Sequence, residues 1–151
     1  MKILIFSSDS NLFNNVRYFY HVYTLIHPTA ERNTFLSMLG SCNYDLLIVD
    51  ELFDSQLSMI TTLSDLGFGF KTVFMIDKPN DLVFARIQSL SIAGIVNRKE
   101  PLHIFKTALD TVVSKGSFVS NFENAPPDSR DKLHHHSMVS PLRDFFAYTL
   151  Q

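Results

Sequence analysis

The sequence has no tryptophan, one cysteine and five glycines, and no apolar run approaches the ~20 residues that span a bilayer. Each shortage closes off a class of protein. With Cys42 alone an internal disulfide is impossible, and a reducing compartment fits. None of the glycines lies in the first strand–helix turn, which argues against a dinucleotide fingerprint, and no Gly-rich phosphate loop is present. A basic excess is missing too. The net charge of −2 lacks the cationic surplus with which a nucleic-acid module neutralises phosphates. The opening apolar stretch, residues 3–6, is stopped by Ser7 and Ser8 before it reaches signal-peptide length. These points predict a cytoplasmic domain with no membrane contact. No nucleophile–base pair stands out, so an enzyme is not expected.

What is present is apolar and periodic. Hydrophobic residues are 46% of the chain and charged residues 19%, a balance that predicts a folded core rather than disorder. Near-continuous apolar runs occupy residues 3–6, 46–49, 72–76 and 94–96, with a weaker one at 22–26. Runs of that kind read as parallel strands covered on both faces. Between them lie stripes at helical spacing: Leu12, Val16, Phe19 and Tyr23; Phe35, Leu36 and Leu39; Leu57, Ile60, Leu63 and Leu66; Val83, Ile87 and Leu90; Leu102, Phe105, Leu109 and Val112. Pro28-Thr29 predicts the entry to the second helix, with Thr29 as N-cap, and Pro101 the first turn of the last. Alternation repeated five times predicts an α/β, flavodoxin-like, doubly wound sheet of five parallel strands in order 2-1-3-4-5, over residues 1–120.

Residues 121–137 hold two prolines and no periodicity, and read as a linker. Within them His134, His135 and His136 point in different directions in any regular structure and lack a zinc-ligand pattern, so they read as solvated. Residues 138–151 turn apolar again and predict an amphipathic helix, or the start of a further region, with Phe145 and Phe146 on one face.

Four quoted stretches carry a resemblance. ILIFSSDS ends the first strand, YDLLIVDEL the third, KTVFMIDK the fourth, and AGIVNRKEPLHIFKTAL spans the fifth strand and last helix. In order and spacing these are similar to the receiver domain of two-component response regulators. The Gly-Ser-Phe-Val-Ser ending and the later VSPLRD resemble receivers joined to a LuxR/NarL-type helix-turn-helix. The resemblance implies that Asp50 stands at the phosphoacceptor position. It also implies a pair of acids after the first strand that helps to hold Mg²⁺. Here Ser7 and Ser8 occupy those positions, or Ser8 and Asp9 if the register moves by one. The family's hydroxyl residue after the fourth strand is replaced by Asp77, and its lysine after the fifth by Arg98, with Lys99 next.

A carboxylate at Asp77 would repel a phosphoaspartate, and the Arg98 guanidinium can clamp a carboxylate directly. The expectation is therefore a pseudo-receiver without a cofactor, in which Arg98 pairs with Asp50 or Asp77. It would act as a regulatory interaction or dimerisation module of a transcriptional regulator. DNA would be reached only through a C-terminal domain outside these residues. Two alternatives stay open: a phosphorylatable receiver using Asp50 with Mg²⁺ held by Asp9, Asp50 and Asp77, or a stand-alone interaction or antagonist protein. The expected dimer or partner surface comprises Leu102, Phe105, Leu109, Val112, Phe145 and Phe146. Cys42 carries no nucleophile motif, and the aromatic group Tyr18, Phe19, Tyr20 and Tyr23 exceeds what one helix face can bury.

Overall fold

A computed structural model describes residues 1–21, 25–54 and 57–122. Strands and helices alternate as β1 (Lys2–Phe6), α1 (Ser10–Phe19), β2 (Leu25–Thr29), α2 (Arg32–Ser41), β3 (Leu46–Asp50), α3 (Ser58–Asp65), β4 (Thr72–Ile76), α4 (Asp81–Gln88), β5 (Gly94–Asn97), α5 (Leu102–Val113) and β6 (Phe118–Val119). The sheet is all-parallel in order β2-β1-β3-β4-β5-β6, a doubly wound α/β sandwich of the expected class with one strand more than expected. That strand has two residues, too few for any periodicity to show. It is held by the Phe118 N–H on the Ala93 carbonyl (2.9 Å) and the Ser120 N–H on the Ile95 carbonyl (2.8 Å).

The period-2 alternation of the strands sorts their side chains into two cores. Leu4, Phe6, Leu47, Val49, Phe74, Ile76 and Ile95 face α2, α3 and α4, meeting Phe35, Leu39, Ile60, Leu63 and Ile87. Ile3, Ile5, Leu46, Ile48, Val73, Met75 and Val96 face α1 and α5, meeting Leu12, Val16, Phe105, Leu109 and Val112. Helix α5 lies close on the sheet at Gly94, where a Cβ would come within 2.9 Å of Val73 Cγ2 and 3.1 Å of Val112 Cγ2.

Two expectations fail for physical reasons. Pro28 and Thr29 belong to β2, paired with Ile5 and Phe6, and do not open a helix. Strand β2 is the edge of the sheet, where a residue lacking an N–H is tolerated. Helix α2 instead starts after Glu31, whose N–H donates to Thr29 Oγ1 (3.2 Å). The second failure concerns the expected partner surface. Phe105, Leu109 and Val112 are 4%, 0% and 2% exposed beneath α5, so the sheet already covers that stripe. Leu102, one position outside it, is half exposed. Phe145, Phe146 and the expected 138–151 helix, like Tyr23 and His134–136, lie outside the described residues.

Candidate functional site at the carboxyl edge of the sheet

Parallel register assembles the site. Ile3 to Phe6 pair with Leu46 to Val49, so the next residues, Ser7 and Asp50, leave the sheet side by side. Strand β4 pairs with β3 up to Met75 opposite Asp50, and with β5 up to Asn97 opposite Ile76. Ser7, Asp50 and Arg98 share the parity of Ile5, Ile48 and Val96, which points all three to the α1/α5 side of the sheet.

Asp50 is fully buried, and each of its oxygens has a partner. Oδ2 accepts the Ser7 hydroxyl (2.9 Å). Oδ1 accepts the Leu52 N–H (3.1 Å) and the Arg98 Nη2, which reaches across β4 to form an ion pair. Ser7, also buried, accepts the Asp9 N–H on its Oγ (2.9 Å) and so ties the start of α1 to Asp50. Ser8 is exposed. The Asp9 carboxylate caps α1 by accepting the Asn11 N–H (2.9 Å). Of the two sequence registers, the structure therefore sets Ser7 against Asp50 and turns Asp9 to helix capping.

Arg98 has only 20% of its side chain exposed. Burial alone would lower its pKa. The hydrogen bond and charge of Asp50, with the charges of Glu51 and Asp9, outweigh burial and raise it. The guanidinium is a permanent cation in this place. Its Nε is buried and finds no hydrogen-bond partner among the described residues. The backbone that carries Arg98 is anchored on both sides. The Arg98 N–H donates to the Ile76 carbonyl (2.9 Å), and the Asn97 N–H donates to Ser120 Oγ (2.8 Å), which donates to Glu100 (2.9 Å).

Asp77 stands apart from the Asp50–Arg98 pair. Its N–H donates to Glu51 Oε2 (2.9 Å). Its Oδ1 makes no hydrogen bond among the described residues, with the exposed Lys99 ammonium at 3.8 Å. Asp9, Asp50 and Asp77 thus serve a helix cap, a buried ion pair and a loose surface pair. Among the described residues no group of three or more His, Cys, Asp or Glu is placed to share a metal ion. Glu51, next to Asp50 in sequence, is a site residue that the motif pattern does not single out. A short 3-10 turn at Glu51–Phe53 folds its carboxylate toward Asp77, and a lone acid after a strand gives no hint of that. Beside the pair lies a cleft of about 200 Å³ lined by Asp9, Asn11, Asn15, Asn97, Arg98 and Glu100, among others.

Chemically, this is a carboxylate with a partner on each oxygen and its charge offset by a guanidinium. A Ser hydroxyl on Oδ2 and a backbone amide on Oδ1 add two further hydrogen bonds, so the burial of the charge is offset by three protein donors.

No family model matches the chain, and no curated protein matches it. A solved structure titled as a fusion carrying the yeast Spc42 trimeric coiled coil, amino acids 181–211, is similar to it with a TM-score of 0.54 at 17% identity. That alignment covers 99% of this chain and 96% of the other. At that identity the likeness bears on fold alone. Among the described residues, no helix is long and apolar enough to cross a membrane.

Proposed function

We propose that the chain is a receiver-like regulatory domain that works without phosphorylation, as an interaction or dimerisation module of a transcriptional regulator. In this reading the Arg98 guanidinium permanently supplies the positive charge beside Asp50 that a metal ion would bring to a switching receiver, and the domain rests in one state. The observation that carries it is the buried ion pair of Asp50 with Arg98, in which both carboxylate oxygens have a partner. Either oxygen would have to attack from a fully buried position while holding the Ser7 hydroxyl, or the Leu52 amide and Arg98, with its charge already offset by the guanidinium. The placement of Asp9, Asp50 and Asp77 in three separate interactions supports the same reading, since Mg²⁺ asks for oxygen ligands at about 2.0–2.1 Å around one point. DNA contact belongs, in this proposal, to a region beyond the described residues, and the partner is a second copy or another regulator.

The test is direct. The chain is incubated with acetyl phosphate and Mg²⁺ and its intact mass measured. The expected outcome is an unchanged mass. Stoichiometric addition of one phosphoryl group, mapped to Asp50, refutes the proposal and supports a working receiver.

A further inference from the structure

At the opposite edge of the sheet, where the strands begin, a second cavity of about 490 Å³ opens beside the end of α5. Its volume lies within the range of small-ligand sites, about 300–1,000 Å³. Met1, Phe70, Val112 and Val113 give it apolar walls, and Lys71, Lys115, Asn43, Tyr44 and Asp45 give it polar ones.

The unusual member is Lys71. A lysine is rarely buried without a carboxylate partner, because its charge loses water and gains nothing in return. Lys71 is only 8% exposed, yet among the described residues no carboxylate lies within ion-pair distance of its ammonium. Its Nζ donates to the Tyr44 carbonyl (2.7 Å) and, at the long limit, to Asn43 Oδ1 (3.5 Å). The faces of Phe68 and Phe70 lie 5.0 and 5.7 Å away. These are neutral partners, and burial lowers the Lys71 pKa, with the charge of Asp45 opposing in part. Asp45 itself accepts the Lys2 N–H (2.8 Å).

Two further features point the same way. Phe70 is 60% exposed at this cavity, an aromatic face left in water. Lys115 sits in the left-handed conformation (φ 68°) that closes α5, a position where glycine carries no steric penalty. The helix end it closes is satisfied, with the Lys115 N–H on the Val112 carbonyl (2.9 Å) and the Gly116 N–H on the Thr111 carbonyl (2.8 Å). Those carbonyls therefore do not stand bare against an incoming anion.

We propose that this cavity binds a small monocarboxylate with an apolar tail. Its carboxylate pairs with the ammonium groups of Lys71 and Lys115, and its tail lies along Val112, Val113 and Phe70. The ligand supplies the ion-pair partner that Lys71 lacks among the described residues, where Asp45 acts on it only from beyond ion-pair distance, and it covers the exposed ring. The site is separate from Asp50 and does not depend on the reading given to that residue.

Octanoate is the probe and octanol its uncharged control, titrated into the full chain and followed by amide chemical shifts. Octanoate is expected to move the amides of residues 70, 71 and 113–115 saturably, and to bind about tenfold more tightly than octanol. Lys71→Met should weaken octanoate about tenfold, and Lys115→Ala, at an exposed position, about threefold, with octanol unchanged in each. Equal affinity for octanoate and octanol overturns the proposal, as does the absence of saturable shifts at those amides. The comparison of the two probes on the unaltered chain decides the matter even if Lys71→Met fails to fold.

Discussion

Arg98→Met separates a charge pair that contributes to the fold from one that merely happens to be close. The substitution keeps much of the aliphatic stem and removes the guanidinium, leaving Asp50 fully buried with only the Ser7 hydroxyl and the Leu52 amide. Two unit charges about 4 Å apart attract by about 4 kcal/mol at an effective dielectric near 20. Removing one partner of a buried pair costs about 3–5 kcal/mol, because the survivor stays desolvated. Two corrections reduce this figure. Arg98 is one-fifth exposed, and Asp50 retains two hydrogen bonds, so the expected loss is about 2–4 kcal/mol. Urea unfolding reads it as a midpoint lowered by about 1–2 M at an m value of about 2 kcal/mol/M. The single change could also act through lost packing, so the decisive measurement is the cycle with Asp50→Asn. The double variant should be more stable than the sum of the two losses by about 1–3 kcal/mol. A coupling below about 0.5 kcal/mol would refute the reasoning and reduce the pair to proximity.

Two other expectations rest on the α1/α5 side. Phe105→Ala should cost about 3–5 kcal/mol in urea unfolding, since the ring is buried against Phe19 at 5.8 Å. Leu102→Ala, half exposed at the start of the same helix, should stay within about 0.5 kcal/mol, and equal costs would show that α5 packs in another rotation. Tyr20 gives a pH dependence. Burial, with the hydrogen bond to Asp110 and the charge of that carboxylate, raises its pKa above the ordinary 10.0. The native state thus keeps a proton that the unfolded chain loses at 10.0. The resulting stabilisation is complete below that pH and is lost as pH rises through the native value. Unfolding midpoints of wild type should therefore fall more steeply than those of Tyr20→Phe at alkaline pH, and parallel curves would remove Tyr20 as the cause.

How much of this the sequence discloses depends on whether a feature is local. Each strand of the core is a run of apolar residues ended by polar ones, and a parallel register carries those ends to one edge. The order of the runs thus brings the strand ends that carry Asp50 and Arg98 to one edge. The register that sets Ser7 rather than Ser8 or Asp9 against Asp50, and Asp50 rather than Asp77 against Arg98, comes from the structure. The apolar stripe 102–105–109–112 is equally visible, but periodicity says only that a face is apolar. It does not say what covers it, and here the sheet covers Phe105, Leu109 and Val112 and leaves Leu102 half exposed. Pro28 misleads because a proline before a helical stripe and a proline on an edge strand look alike in one dimension. Lys71 is the extreme case. It is one lysine before an apolar strand, and nothing in its neighbours announces that Tyr44, Phe68 and Phe70 will enclose it.

The short strand β6 shows why the invisible parts matter to the visible site. Arg98 could be found from the sequence, yet a long side chain on a free loop would pair with Asp50 only part of the time, at a cost in rotamer and backbone entropy. The loop is not free. Ser120, which follows β6, receives the Asn97 amide and donates to Glu100, bracketing Arg98 on both sides. Phe118, Val119 and Ser120 are all buried, so this clamp is fixed by apolar packing that costs the site nothing in polarity. A buried ion pair becomes a stable resting state when the ordering of its cation is borne by such packing, away from the charges themselves. By that argument the edge strand, and not the arginine alone, holds the Asp50–Arg98 pair together.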